Sequence, residues 1–402
     1  MSETFPRLLV ATEFAPASPG GGLVLIRQML RGWPADKIFW WSCHAGRAGM
    51  EGQAVAGHFV APSSSKLYPN RRFAPTRAWL MEKFWSPRAA AHLQRTLREC
   101  QPDVVWAIPQ NWSIPPLAKG LIGGDIPFHV SLHDYPDLGN VVKRIGAGAA
   151  GQLAVKADAL YARANSRDAI CRPMLDDLEQ RLGVGGALCR VGVEADDMVF
   201  LERKQPEGAA EICIAFAGTI IAESAFEVFV KALNGIRARL PRAVRLEFFG
   251  AHTQAQRSWF DAGWMRERRN LPDTDFRAAL RECAWGAAPV SFANEDPRYD
   301  RFSFPAKVTS YFAAGLPVIA LGHPASSLIE LARRYDFGVC STATDLETLQ
   351  SELLAGLSQP TPWAKYADEV RRCVRSEFNA HEMRAALQES FRRAAATHSS
   401  RA

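Results

Sequence analysis

The sequence predicts an α/β protein of two doubly wound parallel sheets. Apolar runs of strand length alternate with helical patterns along the chain, the alternation restarts near its middle, and 402 residues exceed one ordinary core. Strands covered by helices on both faces read as near-continuous apolar runs, and that is the pattern here.

In the first half, Leu8 to Phe14, Ile38 to Ser42, Val104 to Ile108, Phe128 to Leu132 and Ala159 to Ala164 read as buried strands. Helical patterns lie between and after them at Leu23 to Gly32, Ala78 to Cys100 and Ser166 to Leu182. A polar linker ends near Gln205-Pro206-Glu207-Gly208. Strands then recur at Ile212 to Ala217, Arg245 to Phe249, Trp285 to Phe292, Leu316 to Leu321 and Phe337 to Ser341. Helices are expected at Ala225 to Leu240, Phe276 to Cys283, Lys307 to Ala314, Ser326 to Arg334 and Leu346 to Leu357. The domains are expected at 1–192 and 193–375, with a C-terminal helix and basic tail at 376–402 crossing back onto the first.

A net charge of +6 singles out no class of partner, and no nucleic-acid-binding motif is present, so a nucleic-acid role is not expected. The eight cysteines are scattered without a C-x-x-C pair, which predicts reduced thiols rather than a zinc or dithiol site. No signal-peptide pattern and no run of about 20 apolar residues appears, so a cytoplasmic protein, at most peripheral on a membrane, is expected.

Candidate residues cluster after strands. Ser303-Phe304-Pro305-Ala306-Lys307-Val308-Thr309-Ser310 leads into a helix, then Ala314-Gly315 and a buried strand. A helix entrance offers backbone N–H groups and a positive dipole end, which suit phosphate, whereas a lysine there is poorly placed unless an anion offsets it. Pro19-Gly20-Gly21-Gly22 opens the first helix and is either a phosphate-approach loop or a flexible turn. His133 ends a strand beside Asp134. The histidine either donates to a substrate hydroxyl or is a satisfied structural residue, and Asp134 either serves as a base or caps the turn before Tyr135-Pro136. The loop from Asn294 through Glu295 and Asp296 to Asp300 either suits sugar hydroxyls, with no choice among its acids, or is an exposed loop. Asp273-Thr274-Asp275 reads as a helix cap rather than a metal motif, and His129 and His133, four apart on a strand, are weak ligand evidence. No metal is expected. Residues 66–98 combine Arg71, Arg72, Arg77, Lys83, Arg88, Arg95 and Arg98 with Leu80, Phe84 and Trp85, which suits an anionic bilayer or a helix packed into its own domain.

Together these stretches, in this order, resemble the GT-B glycosyltransferases of family 4. Gly20-Gly21-Gly22, Leu132-His133-Asp134, Val191-Gly192-Val193-Glu194 with Phe200, Ala217-Gly218-Thr219, Phe249-Gly250 and the Phe304-Pro305 to Pro317-Val318-Ile319 stretch carry the resemblance. It implies two Rossmann-like domains facing across a cleft, the acceptor on the first and a nucleotide sugar on the second. It further implies His133 and Asp134 as catalytic residues. Gly20, Gly21, Gly22, Gly218, Thr219, Gly250, Ser303, Phe304, Pro305, Lys307, Val308 and Ser310 would bind the donor phosphates, and Asn294, Glu295 and Asp296 the sugar. The donor is a co-substrate and no cofactor is implied. The implied activity is metal-independent transfer, with retention, to a glycan or lipid-linked hydroxyl.

The sequence departs from that pattern in two places. Thr219-Ile220-Ile221-Ala222-Glu223-Ser224 lacks the usual Arg and Lys, and the glutamate pair is replaced by Phe302 and Ser310. Losing the ribose-binding glutamate forfeits roughly 1.5–3 kcal/mol unless another group compensates. The alternatives are a sugar-nucleotide epimerase of the same fold and a non-catalytic binding protein.

Overall fold

A computed structural model describes residues 5–16, 21–45, 52–64, 73–135, 139–202, 211–293, 297–358 and 360–399. Gly20, Asn294, Glu295, Asp296, Lys66, Arg71, Arg72 and the linker at 205–208 lie outside them. The chain forms two compact units, one of residues 1–190 with 382–402 and one of residues 191–381.

The first unit carries β1 (Leu8–Thr12), α1 (Gly21–Met29), β2 (Ile38–Ser42), β3 (Gly57–Val60), α2 (Ala74–Leu80), α3 (Ser86–Cys100), β4 (Val104–Ile108), α4 (Ile114–Leu121), β5 (Phe128–Leu132), α5 (Gly139–Ile145), α6 (Ala147–Arg163), β6 (Ser166–Ala169), α7 (Arg172–Leu182) and β7 (Ala187–Leu188). Its sheet runs β3-β2-β1-β4-β5-β6-β7, with every pairing parallel. Strand order reverses between β1 and β4, so the crevice outside their C-terminal ends is where a ligand fits an open sheet. Every residue of β1 and β4 is buried, as their continuous apolar sequences require.

Three expectations change here. Ala159 to Ala164 is not a strand but the end of α6 and the residue after it. Ala150, Leu153, Ala154, Ala157, Leu160 and Tyr161 are buried at helical spacing, and the short apolar run simply continues that face. The strand is Ser166–Ala169, and the helix expected from Ser166 begins at Arg172. Ala78 to Cys100 is not one regular helix, because a π-helical turn spans Met81–Trp85. Pro87 has no N–H to donate four residues back, and just before it the Ser86 N–H reaches the Met81 carbonyl instead.

The second unit holds β8 (Glu211–Ala217), α8 (Glu223–Ile236), β9 (Ala243–Gly250), β10 (Met265–Arg269), α9 (Asp273–Glu282), β11 (Trp285–Pro289), α10 (Pro297–Phe302), α11 (Lys307–Ala313), β12 (Val318–Leu321), α12 (Ser327–Tyr335), β13 (Cys340–Ser341), α13 (Leu346–Leu357) and α14 (Pro360–Glu377). The sheet order is β10-β9-β8-β11-β12-β13, again parallel, with its switch between β8 and β11. Asp273 does not cap α9 through its side chain. The flanking residue is Pro272, and the Asp273 carboxylate instead accepts from Arg277 at 2.9 Å.

α15 (Ala380–Ser399) follows, and from Glu382 it belongs to the first unit. Phe391 lies 5.5 Å from the Trp106 ring and 5.3 Å edge-on to His129, and Gln388 donates to the Met29 carbonyl at 3.0 Å. His129 is thereby interior. Its Nε2 is 2.7 Å from Asp168 Oδ2 and its Nδ1 2.7 Å from Ser166 Oγ.

Candidate functional site

In the first unit, polar residues gather directly after β1, β4 and β5. Glu13 follows β1 and is almost wholly buried, which is costly for a carboxylate unless it is paired. Asn111, after β4, donates to Glu13 Oε2 at 2.6 Å, and His44 Nε2 lies 3.8 Å from Glu13 Oε1. Arg144 of α5 donates to Asn111 Oδ1 at 3.0 Å. Gln110 donates to Asp134 Oδ2 at 3.1 Å. Asn111 holds a positive φ of 41°, a strained value that asparagine tolerates better than most residues.

His133 sits within this group. It is 5% exposed, yet neither ring nitrogen has a hydrogen-bond partner among the described residues. Buried polar atoms are nearly always satisfied, so a ring with neither nitrogen paired is a candidate for contact with a ligand or water. Burial lowers its pKa, while Asp168 and then Asp134 pull the other way. A Cβ built on Gly22 would stand 3.5 Å from His133 Nδ1, an ordinary contact distance, so the start of α1 lies beside the ring. Gly21 also lies in α1.

In the second unit the candidates gather after β8 and β9 and at the start of α11. Gly218 has φ 82°, the left-handed value that favours glycine, and its N–H donates to the Phe249 carbonyl at 2.7 Å. A Cβ on Gly250 would meet the Gly218 carbonyl oxygen at 3.3 Å, so the two turns touch backbone to backbone. Lys307 Nζ donates to the Thr219 carbonyl at 3.3 Å and stands 3.8 Å from the Phe216 ring centroid. Burial pulls its pKa down to about 7. The sequence pattern pointed to open amides here, but those of Val308 and Thr309 bond to Pro305 and Ala306 in tight i→i−3 turns. Two of the amides at the start of α11 are thus engaged within the turn itself.

Tyr311, which sequence reasoning passed over, braces the same turn. Its hydroxyl accepts from the Ala217 N–H at 2.8 Å and donates to the Ala287 carbonyl at 3.0 Å, tying α11 to β8 and β11 on either side of the switch. Tyr311→Phe is expected to cost about 1–3 kcal/mol, because it strands a buried amide. Urea unfolding measures that loss.

Other motif residues pack into or against the core of this unit. Val308 is fully buried, Phe304 packs 5.6 Å from the Phe378 ring, and the Ser303 carbonyl accepts from Ser327. Ser310 and Pro305 are half-buried. Phe302, at the first of the two altered glutamate positions, is buried. Cys213, Cys283 and Glu247 come within 4.8 Å of one another in the core. Arg268 at 2.6 Å and Arg245 at 3.6 Å already offset the carboxylate, and neighbouring Cys213, with burial, pushes the Cys283 thiol up.

No family model and no curated protein sequence matches the chain. Solved structures do match. A sucrose-phosphate synthase from Thermosynechococcus elongatus is 13% identical, with 98% of this chain and 100% of that chain covered and a TM-score of 0.67. The chain has the GT-B fold. A UDP-forming α,α-trehalose-phosphate synthase from Burkholderia xenovorans, in complex with glucose-6-phosphate, is 13% identical over 96% of this chain and 100% of that one, with a TM-score of 0.61. A trehalose-6-phosphate protein from E. coli bound with UDP-2-fluoro glucose is 12% identical over 96% and 98%, with a TM-score of 0.60.

Proposed function

We propose that this GT-B protein is a glycosyltransferase that moves a sugar from a nucleoside diphosphate to the hydroxyl of a glycan or lipid-linked acceptor, in the manner of family 4. The observation that carries the proposal is Lys307, a half-buried amine aimed across the Gly218-Thr219 turn at the switch point of the second sheet. A diphosphate there supplies the counter-charge that a buried ammonium lacks. The UDP-2-fluoro glucose bound to one structural neighbour supports the same class of ligand.

In this reading the leaving diphosphate gains its electrostatic stabilisation from Lys307, without a metal. His133 donates from its ring to a hydroxyl of the substrate, and Asp134, turned toward Gln110, accepts the acceptor's proton. Gly22 lies beside His133, and Gly20 and Gly21 are assigned to the donor from the sequence alone. Asn294, Glu295 and Asp296 are assigned to the sugar from the sequence alone. Retention and a cytoplasmic setting complete the proposal.

The test is a screen of UDP-, GDP- and TDP-sugars for nucleotide release with and without glycan acceptors. Release that depends on acceptor supports transfer. Isomerised donor without release would establish the epimerase, and no binding of any nucleotide would establish a non-catalytic protein.

A further inference from the structure

We propose that the face formed by α2, the π-helical turn and the start of α3 is a docking surface for an anionic lipid bilayer, with Trp79 and Phe84 as the inserting side chains. Large aromatic side chains normally bury, yet Phe73, Trp79 and Phe84 are 65%, 53% and 44% exposed within one short segment. Sequence reasoning had named Leu80, Phe84 and Trp85. Trp85 proves buried, its indole N–H held by the Pro62 carbonyl at 2.7 Å, and Leu80 half-buried.

The π turn makes the pair. Residues five apart point to widely different sides of an α-helix with about 3.6 residues per turn. Widening the turn between them brings Trp79 and Phe84 edge to face, with ring centroids 5.8 Å apart. Rare π turns recur at functional sites, and this one has that consequence.

Charge selects the occupant. Lys83 Nζ lies 4.9 Å from the Trp79 ring centroid, and Arg88 is exposed one turn further on. Glu82 is the single acid between residues 73 and 98, and it is drawn to Lys119 at 3.0 Å and Lys156 at 3.4 Å. Aromatic rings interleaved with cations, and no net acid facing outward, fit the headgroup layer of an anionic membrane. Contact is peripheral, because no helix among the described residues is long and apolar enough to span.

The surface also adjoins the first site. α2 packs against α5, whose Arg144 holds Asn111. A docked bilayer therefore presents lipid-linked hydroxyls near Glu13 and His133. That last step rests on the proposed transferase reading, whereas docking does not.

Co-sedimentation of the full chain with phosphatidylcholine vesicles, with and without equimolar phosphatidylglycerol and with no nucleotide sugar present, tests docking alone. We expect binding to the anionic vesicles only, weakening with salt. Trp79→Ser with Phe84→Ser, and separately Lys83→Glu with Arg88→Glu, should each lower the partition coefficient at least about tenfold. Both double variants should melt as the parent does, since the altered side chains are exposed. No binding by the parent, equal binding to neutral vesicles, or unchanged binding by both variants would overturn the proposal. So would a lipid-free dimer that the Trp79/Phe84 variant disperses, which would assign the patch to a second copy of the chain.

Discussion

His133→Phe should lower turnover by about 10²–10⁴-fold while leaving nucleotide affinity unchanged. The change removes both ring nitrogens and keeps a flat ring of similar size. Because neither nitrogen has a hydrogen-bond partner among the described residues, no hydrogen bond to them is lost. Replacing a buried, unsatisfied polar group by an apolar one of similar shape is close to neutral for stability or favourable. The variant should therefore melt at or above the parent temperature. A histidine serving the fold through hydrogen bonds would show the reverse, a lower melting temperature with turnover retained.

The same residue sets an acid dependence of stability. Burial lowers the folded-state pKa of His133, so the unfolded chain takes up the proton first as pH falls. Its contribution is complete above the ordinary value of 6.5 and declines as pH drops through that value toward the lower folded one. Denaturant midpoints at pH 7.5 and pH 5 should fall less in His133→Phe than in the parent.

Lys307→Met carries the second large effect. Losing a charge-assisted contact to phosphate should weaken nucleoside-diphosphate binding by about 10- to 100-fold, the equivalent of roughly 1.5–3 kcal/mol. Stability should move the other way. The folded pKa is about 7 against an ordinary 10.5, so between those values the unfolded chain holds the extra proton. Stability from this group is therefore full above 10.5 and declines as pH falls toward about 7. Methionine in its place removes that loss, and the variant should be the more stable protein at neutral pH by about 1–2 kcal/mol after solvent screening. Better folding with poorer binding is the pattern of a residue kept for a ligand.

Much of this arrangement was legible in the sequence. Continuous apolar runs such as Leu8 to Thr12 and Val318 to Leu321 admit little besides buried parallel strands, and Gly218 and Gly250 mark turns that the backbone contacts require. Other elements gave no such signal. β10 reads Met-Arg-Glu-Arg-Arg, an edge strand whose charges mask its partner. Ala159 to Ala164 has a strand's composition, but its burial follows the helix before it. Glu13 lay inside an expected strand, and only the observed end of β1 at Thr12 sets it at the strand's mouth with Asn111. Gln110 and Asn111 were visible as polar residues just after a buried run, and that position was the available clue. Tyr311 gave no signal of its own within the expected helix, because sequence periodicity does not show where a phenol oxygen ends. The π turn follows from Pro87 once the helix is known, while the pairing of Trp79 with Phe84 needs coordinates.

The central claim is that the Gly218-Thr219 turn and Lys307 hold a diphosphate, and calorimetry at pH 8 with UDP, GDP and TDP in buffers of different ionisation enthalpy tests it most directly. Binding should restore the charge on an amine that is largely neutral at that pH. At least one nucleotide should therefore bind with uptake of about one proton, and both the uptake and most of the affinity should vanish in Lys307→Met. Absence of binding by all three nucleotides, or binding with the same affinity and proton count in the variant, would contradict the account.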